Sequence, residues 1–174
     1  MRSFHDGVDL TRSLTYAGFV LLLFEQVKAL IVQPIRAFYD RMTFDDSSPF
    51  TDYSTDVLSR GRNEFNACLL YLRDFMEAID LADYMVIHSL REHRNDLAHN
   101  LADQVGALAV GANVGLLREA RTVLFKLSNY NIRMQIGADP AAQSFIEDWD
   151  KVYGREFDII DTIIQQVDTL DSLR

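Results

Sequence analysis

The sequence is poor in cysteine and in long apolar runs. Its 174 residues include one cysteine, Cys68, which excludes an internal disulfide and a cysteine-rich zinc site and is typical of a reducing compartment. The longest apolar run, residues 17–24, is followed at once by Glu25 and is far shorter than the roughly 20 residues that a membrane-spanning helix needs. No basic region leads into an apolar segment at the start. We therefore expect a cytoplasmic protein with no membrane span.

Positive charge is also scarce. Lys and Arg number 17 against 26 Asp and Glu, which gives a formal net charge of −9. Such a balance argues against a protein that coats nucleic acid with a broad basic surface, but it permits a small local phosphate site or a basic partner. With 48% hydrophobic and 25% charged residues, the composition predicts a single globular domain over residues 1–174.

Apolar residues recur at intervals of three and four along most of the chain. No stretch of useful length alternates in the way that a half-buried strand does. The fold class is therefore predicted to be all-α, an antiparallel helical bundle of about five helices. The helices are expected over residues 9–42, 56–79, 81–105, 116–137 and 140–170.

Proline and glycine set several of the predicted helix boundaries. Pro34 should kink the first helix or divide it, because proline lacks an amide hydrogen. The glycines within residues 106–115 predict a break between the third and fourth helices. Asp139 followed by Pro140 predicts the cap and first residue of a long last helix, with an interruption near Gly154.

The third predicted helix carries polar residues in an unusual arrangement. At about 100° per residue, one side of this helix is apolar and the opposite side is polar. The apolar stripe contains Val86, Leu90, Leu97, Leu101 and Val105, and the polar stripe contains His88, Arg91, Asn95 and His99. Arg94 falls inside the apolar stripe, four residues after Leu90. Its charge must extend out of the contact or be held by a partner in a cleft.

Arg94 and His99 together have the chemistry for RNA cleavage without a metal. A guanidinium holds phosphate, and an imidazole exchanges a proton near neutral pH. On an ideal helix the two residues are about 140° apart, so spacing alone does not bring them together. The reach of the arginine, a local helix distortion or a second copy of the helix across a dimer axis would do so. A surface hydrogen-bond network is the alternative interpretation.

Residues 91–100, with the sequence Arg-Glu-His-Arg-Asn-Asp-Leu-Ala-His-Asn, resemble the signature of the HEPN superfamily (higher eukaryotes and prokaryotes nucleotide-binding domains). That signature is an arginine, a polar residue that is often asparagine, and a histidine a few residues later, in an all-α bundle. Arg94, Asn95 and His99 match it. The resemblance implies a metal-independent endoribonuclease that acts on RNA as a homodimer, often as the toxin of a toxin–antitoxin or phage-defence system. It also implies an antitoxin or regulatory protein as a possible partner.

The resemblance assigns a role to each residue of the motif. His99 would exchange a proton with the attacking ribose 2′-hydroxyl or the leaving 5′-oxygen, which leaves a cyclic phosphate. Arg94 would hold the non-bridging oxygens as charge grows, and Asn95 would orient the histidine or the phosphate. Arg91 and His88, on the same polar stripe, are expected to bind substrate. No cofactor and no metal are expected.

Three further interpretations follow from the same residues. His88, His93 and His99 are five and six residues apart, which does not give the i,i+4 pair that binds zinc on one helix face. A catalytically inactive HEPN-like module that binds a nucleotide, RNA or a protein is the main alternative to the enzyme. An unrelated bundle would instead engage Arg94 and His99 in separate structural contacts. Leu101 stands where one HEPN branch has a tyrosine that receives a nucleotide, so that regulation is not expected.

Overall fold

The structure is a computed structural model that describes residues 7–43, 48–104, 110–137 and 139–172. In these ranges all regular structure is helical, which confirms the all-α helical bundle. Seven α-helices are present in the described part of the chain, and two short 3₁₀ turns lie at Leu58–Arg60 and Trp149–Lys151. The helices are α1 Gly7–Arg41, α2 Tyr53–Asp56, α3 Glu64–Asp74, α4 Leu81–Gln104, α5 Val110–Ile136, α6 Pro140–Phe145 and α7 Arg155–Ser172.

Helix α1 packs against α3, α4, α5 and α7, and α5 packs against α4 and α7. Two contacts show that α5 and α7 run antiparallel. Arg118 Nη2 lies 2.9 Å from Asp168 Oδ1, and Ser128 Oγ donates to Glu156 Oε1 over 2.8 Å. Residue numbers thus rise along α5 as they fall along α7.

The buried side chains form one cluster to which α1, α3, α4, α5 and α7 all contribute. By length and composition, residues 10–41 of α1 are apolar enough to cross a membrane, and half of the apolar window is buried inside the bundle. Tyr16, Leu23 and Val27 are fully buried on this helix. Packing against the neighbouring helices accounts for the apolar composition of the side of α1 that carries these residues.

Pro34 does not divide the first helix, because α1 continues through it to Arg41. Proline leaves the carbonyl four residues earlier, that of Leu30, without its helical donor. Asn131 of α5 supplies a donor to this carbonyl, with Nδ2 3.1 Å from the Leu30 oxygen. The buried side chains of Ile31 and Ile35 on either side of the proline also hold the helix in place.

The predicted second helix, residues 56–79, is broken in the structure. Helix α3 begins only at Glu64, where Asn63 caps it by accepting a hydrogen bond from the Asn66 amide at 3.0 Å. Gly61 precedes this cap and runs so close to α3 that a Cβ there would lie 2.6 Å from the Ala67 nitrogen. The chain therefore turns sharply at Gly61, and the segment before it forms α2 and a 3₁₀ turn instead.

The remaining boundaries are partly as expected. Helix α4 matches the predicted third helix, although residue 105 lies outside the described residues. Helix α5 begins at Val110, so the predicted break does not extend to Gly111 or Gly115, and residue 106 is not described. Asp139 caps α6 as predicted, accepting from the Ala141 amide at 2.9 Å. The last helix is not continuous, because α6 ends at Phe145 and α7 starts just after Gly154.

Candidate functional site

All the predicted site residues lie on α4, and Arg94 faces the neighbouring helix α1. Leu90 and Leu97, four residues before Arg94 and three after it, are buried in the core. This spacing directs the Arg94 side chain toward the same side. Its guanidinium carbon lies 5.5 Å from the centroid of the Phe24 ring on α1, and the side chain remains 30% exposed. Arg94 thus lies between α1 and α4 and is partly exposed there.

The Arg94 guanidinium has one charged partner and one polar partner. Its Nη2 lies 3.5 Å from Glu25 Oε1 on α1, a long ion pair whose carboxylate side chain is 55% exposed. Its Nη1 donates to Asn95 Oδ1 over 3.2 Å. Its Nε is buried and has no hydrogen-bond partner among the described residues. Because a guanidinium has five N–H donors, this one retains donors for an anion that replaces Glu25.

Asn95 connects the arginine to the polar side of α4. Residues four apart on a helix lie on one face, so Asn95 and His99 share a face. The hydrogen bond from Arg94 to Asn95 shows that the guanidinium reaches toward this face, despite the wide angle between Arg94 and His99 on the helix. The His99 side chain is exposed and forms no hydrogen bond or ion pair with the described residues. An exposed imidazole is accessible to a substrate that contacts this side of α4.

His88 and Arg91, the predicted substrate-binding residues, precede Asn95 on the same face by spacing. The Nδ1 atom of His88 lies 3.5 Å from Glu92 Oε1, and its ring packs beside Tyr84 with centroids 6.0 Å apart. Arg91 is half-buried and has no ion-pair partner among the described residues. Arg91 is therefore the second guanidinium in this region with donors available to a phosphate.

His93 is part of this region, although its position in the sequence pointed only to a possible metal ligand. Its Nε2 and the hydroxyl of Tyr16 on α1 are 2.7 Å apart, and Tyr16 is fully buried. Burial lowers the pKa of His93, while the charge of Asp96 opposes that shift. This hydrogen bond ties α4 to α1 one residue before Arg94. In the sequence, His93 lies three residues after Leu90 and four before Leu97, a spacing that places it on the buried side of α4.

No group of three or more His, Cys, Asp or Glu side chains that could hold a metal ion occurs in the part of the chain that the structure describes. Asp96 accepts a hydrogen bond from Asn100 Nδ2 at 2.6 Å. Cys68 is buried in the core, where burial raises its pKa, and its Sγ lies 3.4 Å from the Tyr53 hydroxyl. Cys68 is therefore a small core residue.

Comparison with known proteins adds no relative to this picture. No protein-family model, no curated protein and no solved structure matches the chain. A functional assignment therefore rests on the residues of α4 and on their contacts with α1.

Proposed function

We propose that the protein is a HEPN-type endoribonuclease that cleaves RNA without a metal ion, as a homodimer and as a toxin or defence-system component. One observation carries this proposal: Arg94 is partly exposed between α1 and α4 and is hydrogen-bonded to Asn95, whose helix face also presents the exposed His99. The motif residues therefore combine an anion-binding group, a polar group that positions it and an accessible imidazole.

The proposed reaction needs only these groups. The ribose 2′-hydroxyl loses its proton and attacks the adjacent phosphorus, while the bond to the 5′-oxygen breaks. The products are a 2′,3′-cyclic phosphate and a free 5′-hydroxyl, which receives a proton. His99 serves as the base for the first proton or as the acid for the second. Arg94 binds the non-bridging oxygens, where negative charge grows in the transition state, and Asn95 holds the guanidinium in position.

The homodimer is supported by the surface of α1 next to Arg94. Leu14, Gly18, Leu22 and Glu25 follow one another at helical spacing, and Leu14 and Leu22 are 47% and 48% exposed. This apolar stripe ends at Glu25, the carboxylate paired with Arg94. A second copy that covers the stripe would bring two motifs to one groove, as a two-fold axis requires.

RNA cleavage in EDTA tests the enzyme directly. Wild type is compared with His99→Ala and Arg94→Ala, and the exposed Arg62→Ala serves as a matched control away from α4. We expect each motif substitution to lower the cleavage rate by about 10²- to 10⁴-fold, the usual range for a proton-transfer group, while the control cleaves normally. Equal products from wild type and both motif variants would eliminate the proposal.

The dimer is tested with Leu22→Glu, which places a charge on the exposed stripe without touching the core. Light scattering should report a monomer, and RNA cleavage should fall with the loss of the dimer. A monomeric variant that cleaves RNA as fast as wild type would show that one copy of the chain is sufficient.

The second candidate is a catalytically inactive HEPN-like module that binds a nucleotide, RNA or a protein partner. The net charge of −9 and the pairing of Arg94 with Glu25 favour it, since both weaken phosphate binding. In that case purified protein cleaves no RNA, yet it binds a ligand with an affinity that Arg94→Ala lowers. Cleavage by the wild type that is lost in His99→Ala would exclude this candidate.

A further inference from the structure

A recess of about 660 Å³ lies beyond Glu25 along α1, between the last turns of α1 and α5 and the end of α3. It begins at Gln33, eight residues beyond Glu25, which is about 12 Å at the rise of an α-helix. No residue of the Arg94 region lines it. Its volume lies within the range of small-molecule sites.

Pro34 and Asn131 shape this recess. Pro34 leaves the Leu30 carbonyl without a helical donor, and Asn131 uses its side-chain amide to bond that carbonyl over 3.1 Å. Both residues line the recess. The hydrogen bond joins α1 to α5 beside the recess and satisfies the Leu30 carbonyl, which therefore does not need a ligand.

The walls of the recess are mainly apolar. Phe38, Met76, Met134 and Ile136 contribute side chains to it, and Leu72 is buried beneath it. Met134 and Ile136 are more than a third exposed at its edge. Methionine side chains adapt their shape to different apolar ligands. These walls favour an alkyl chain over a polar molecule.

Polar side chains also line the recess, namely Gln33, Arg41, Tyr71, Tyr130, Asn131 and Gln135. Arg41 is the only ionised side chain among the described residues that line it, and it has no ion pair with any of them. The Tyr130 hydroxyl also has no hydrogen-bond partner in the described ranges, and burial raises its pKa. A guanidinium that has no ion pair with the described residues, beside an apolar recess, complements an anionic headgroup on an apolar chain.

We propose that this recess binds an alkyl carboxylate, with the carboxylate on Arg41 and the chain between Phe38, Met76 and Met134. The site is separate from the proposed ribonuclease site and does not depend on that activity. A guanidinium at the edge selects for the anion, and the apolar walls select for the chain. Charge therefore decides between ligands of equal chain length.

Calorimetric titration of the full chain with decanoate, decan-1-ol and decylammonium tests this selection. We expect decanoate to bind, decan-1-ol to bind about tenfold more weakly, and decylammonium to show no binding. Arg41→Gln should weaken decanoate binding about tenfold and leave decan-1-ol unchanged, because it removes one charge-assisted contact. Arg62→Gln, an exposed arginine outside the recess, should change neither.

A second variant tests the position of the chain. Ala37 lines the recess and is half-buried, so Ala37→Trp should fill the space and abolish binding of decanoate and decan-1-ol alike. Thermal unfolding of this variant verifies that it is folded. No decanoate binding by folded wild type, equal binding of decylammonium, or unchanged affinity in Arg41→Gln would each overturn the proposal.

Discussion

Helices α4 and α7 pack in the same bundle but differ in the residues that lie at their interfaces. On α7, residues at helical spacing are apolar and buried, namely Phe157, Ile160, Ile163, Ile164 and Val167. On α4, the buried positions Leu90 and Leu97 enclose His93 and Arg94, which also face α1. The buried side chains of α7 are all apolar, and polar partners such as Glu156 and Asp171 lie near its two ends, whereas α4 places polar groups between its buried positions.

The polar contacts of the two helices differ in the same way. The ion pair between Arg118 and Asp168 joins α5 to α7 at the surface. On α4, His93 bonds the fully buried Tyr16 of α1, and Arg94 pairs with the partly exposed Glu25 of the same helix. Departures from the apolar pattern are expected where a site is needed, so α7 is a structural element and α4 carries the candidate site.

The largest expected effect on stability is at the α7 interface. Ile164→Ala removes a buried side chain and should lower the free energy of unfolding by about 2–5 kcal/mol, measured by urea denaturation. Cleavage of RNA by the protein that remains folded should not change. Ile159→Ala, on the same helix but 46% exposed, is the matched control and should cost much less. Equal costs would contradict the assigned packing of α7.

Arg94→Met separates function from structure on α4. Methionine keeps the contact with Phe24. It removes the charge paired with Glu25 and the buried Nε, which has no hydrogen-bond partner among the described residues. Because the pair with Glu25 is partly exposed, we expect the free energy of unfolding to stay within about 1 kcal/mol of wild type. RNA cleavage should be lost. A loss of more than about 3 kcal/mol would make Arg94 a structural residue.

The pH dependence of stability sharpens the comparison at His93. Burial holds the pKa of folded His93 below its value in the unfolded chain. Its stabilising contribution is therefore present above about pH 6.5 and is lost as the pH falls toward the folded-state pKa. Between about pH 7.5 and 5.5, the melting temperature of wild type should fall more than that of His93→Gln, because glutamine can still bond Tyr16 without titrating. Parallel curves would contradict this assignment.

The smallest effect is expected at the surface of the α5–α7 contact. A double-mutant cycle with Arg118→Gln and Asp168→Asn should give a coupling free energy of about 0.2–1 kcal/mol, because Arg118 is largely exposed. The coupling should shrink at high salt. A coupling of several kcal/mol would show that polar contacts, and not apolar burial, hold α7 in place.

Local sequence signals predicted several features correctly. The bounds of α4 follow from its apolar spacing, and Asp139 with Pro140 starts α6 as expected. The position of Arg94 in the apolar stripe predicted that its side chain extends out of the contact or that a partner holds its charge; in the structure it is 30% exposed and paired with Glu25. The roles of Arg94, Asn95 and His99 in RNA cleavage stay predictions until the variants are tested.

Other features depended on contacts between residues distant in sequence. Pro34 remains inside α1 because Asn131, 101 residues later, supplies the missing donor. Helix α3 begins late because the chain at Gly61 approaches Ala67 too closely for a side chain. The partner of His93 is Tyr16, 77 residues earlier. None of these contacts leaves a periodic signal in its own segment.

The amino-acid sequence alone determined the helical class, the extent of α4 and the order of its motif residues, because helical periodicity and capping act over a few neighbouring residues. The tertiary structure alone decided that α1 passes unbroken through Pro34, that Arg94 is held between Glu25, Phe24 and Asn95, and that a recess opens beside Arg41. These features arise where helices meet, and the energy of such contacts depends on which side chains the fold brings together.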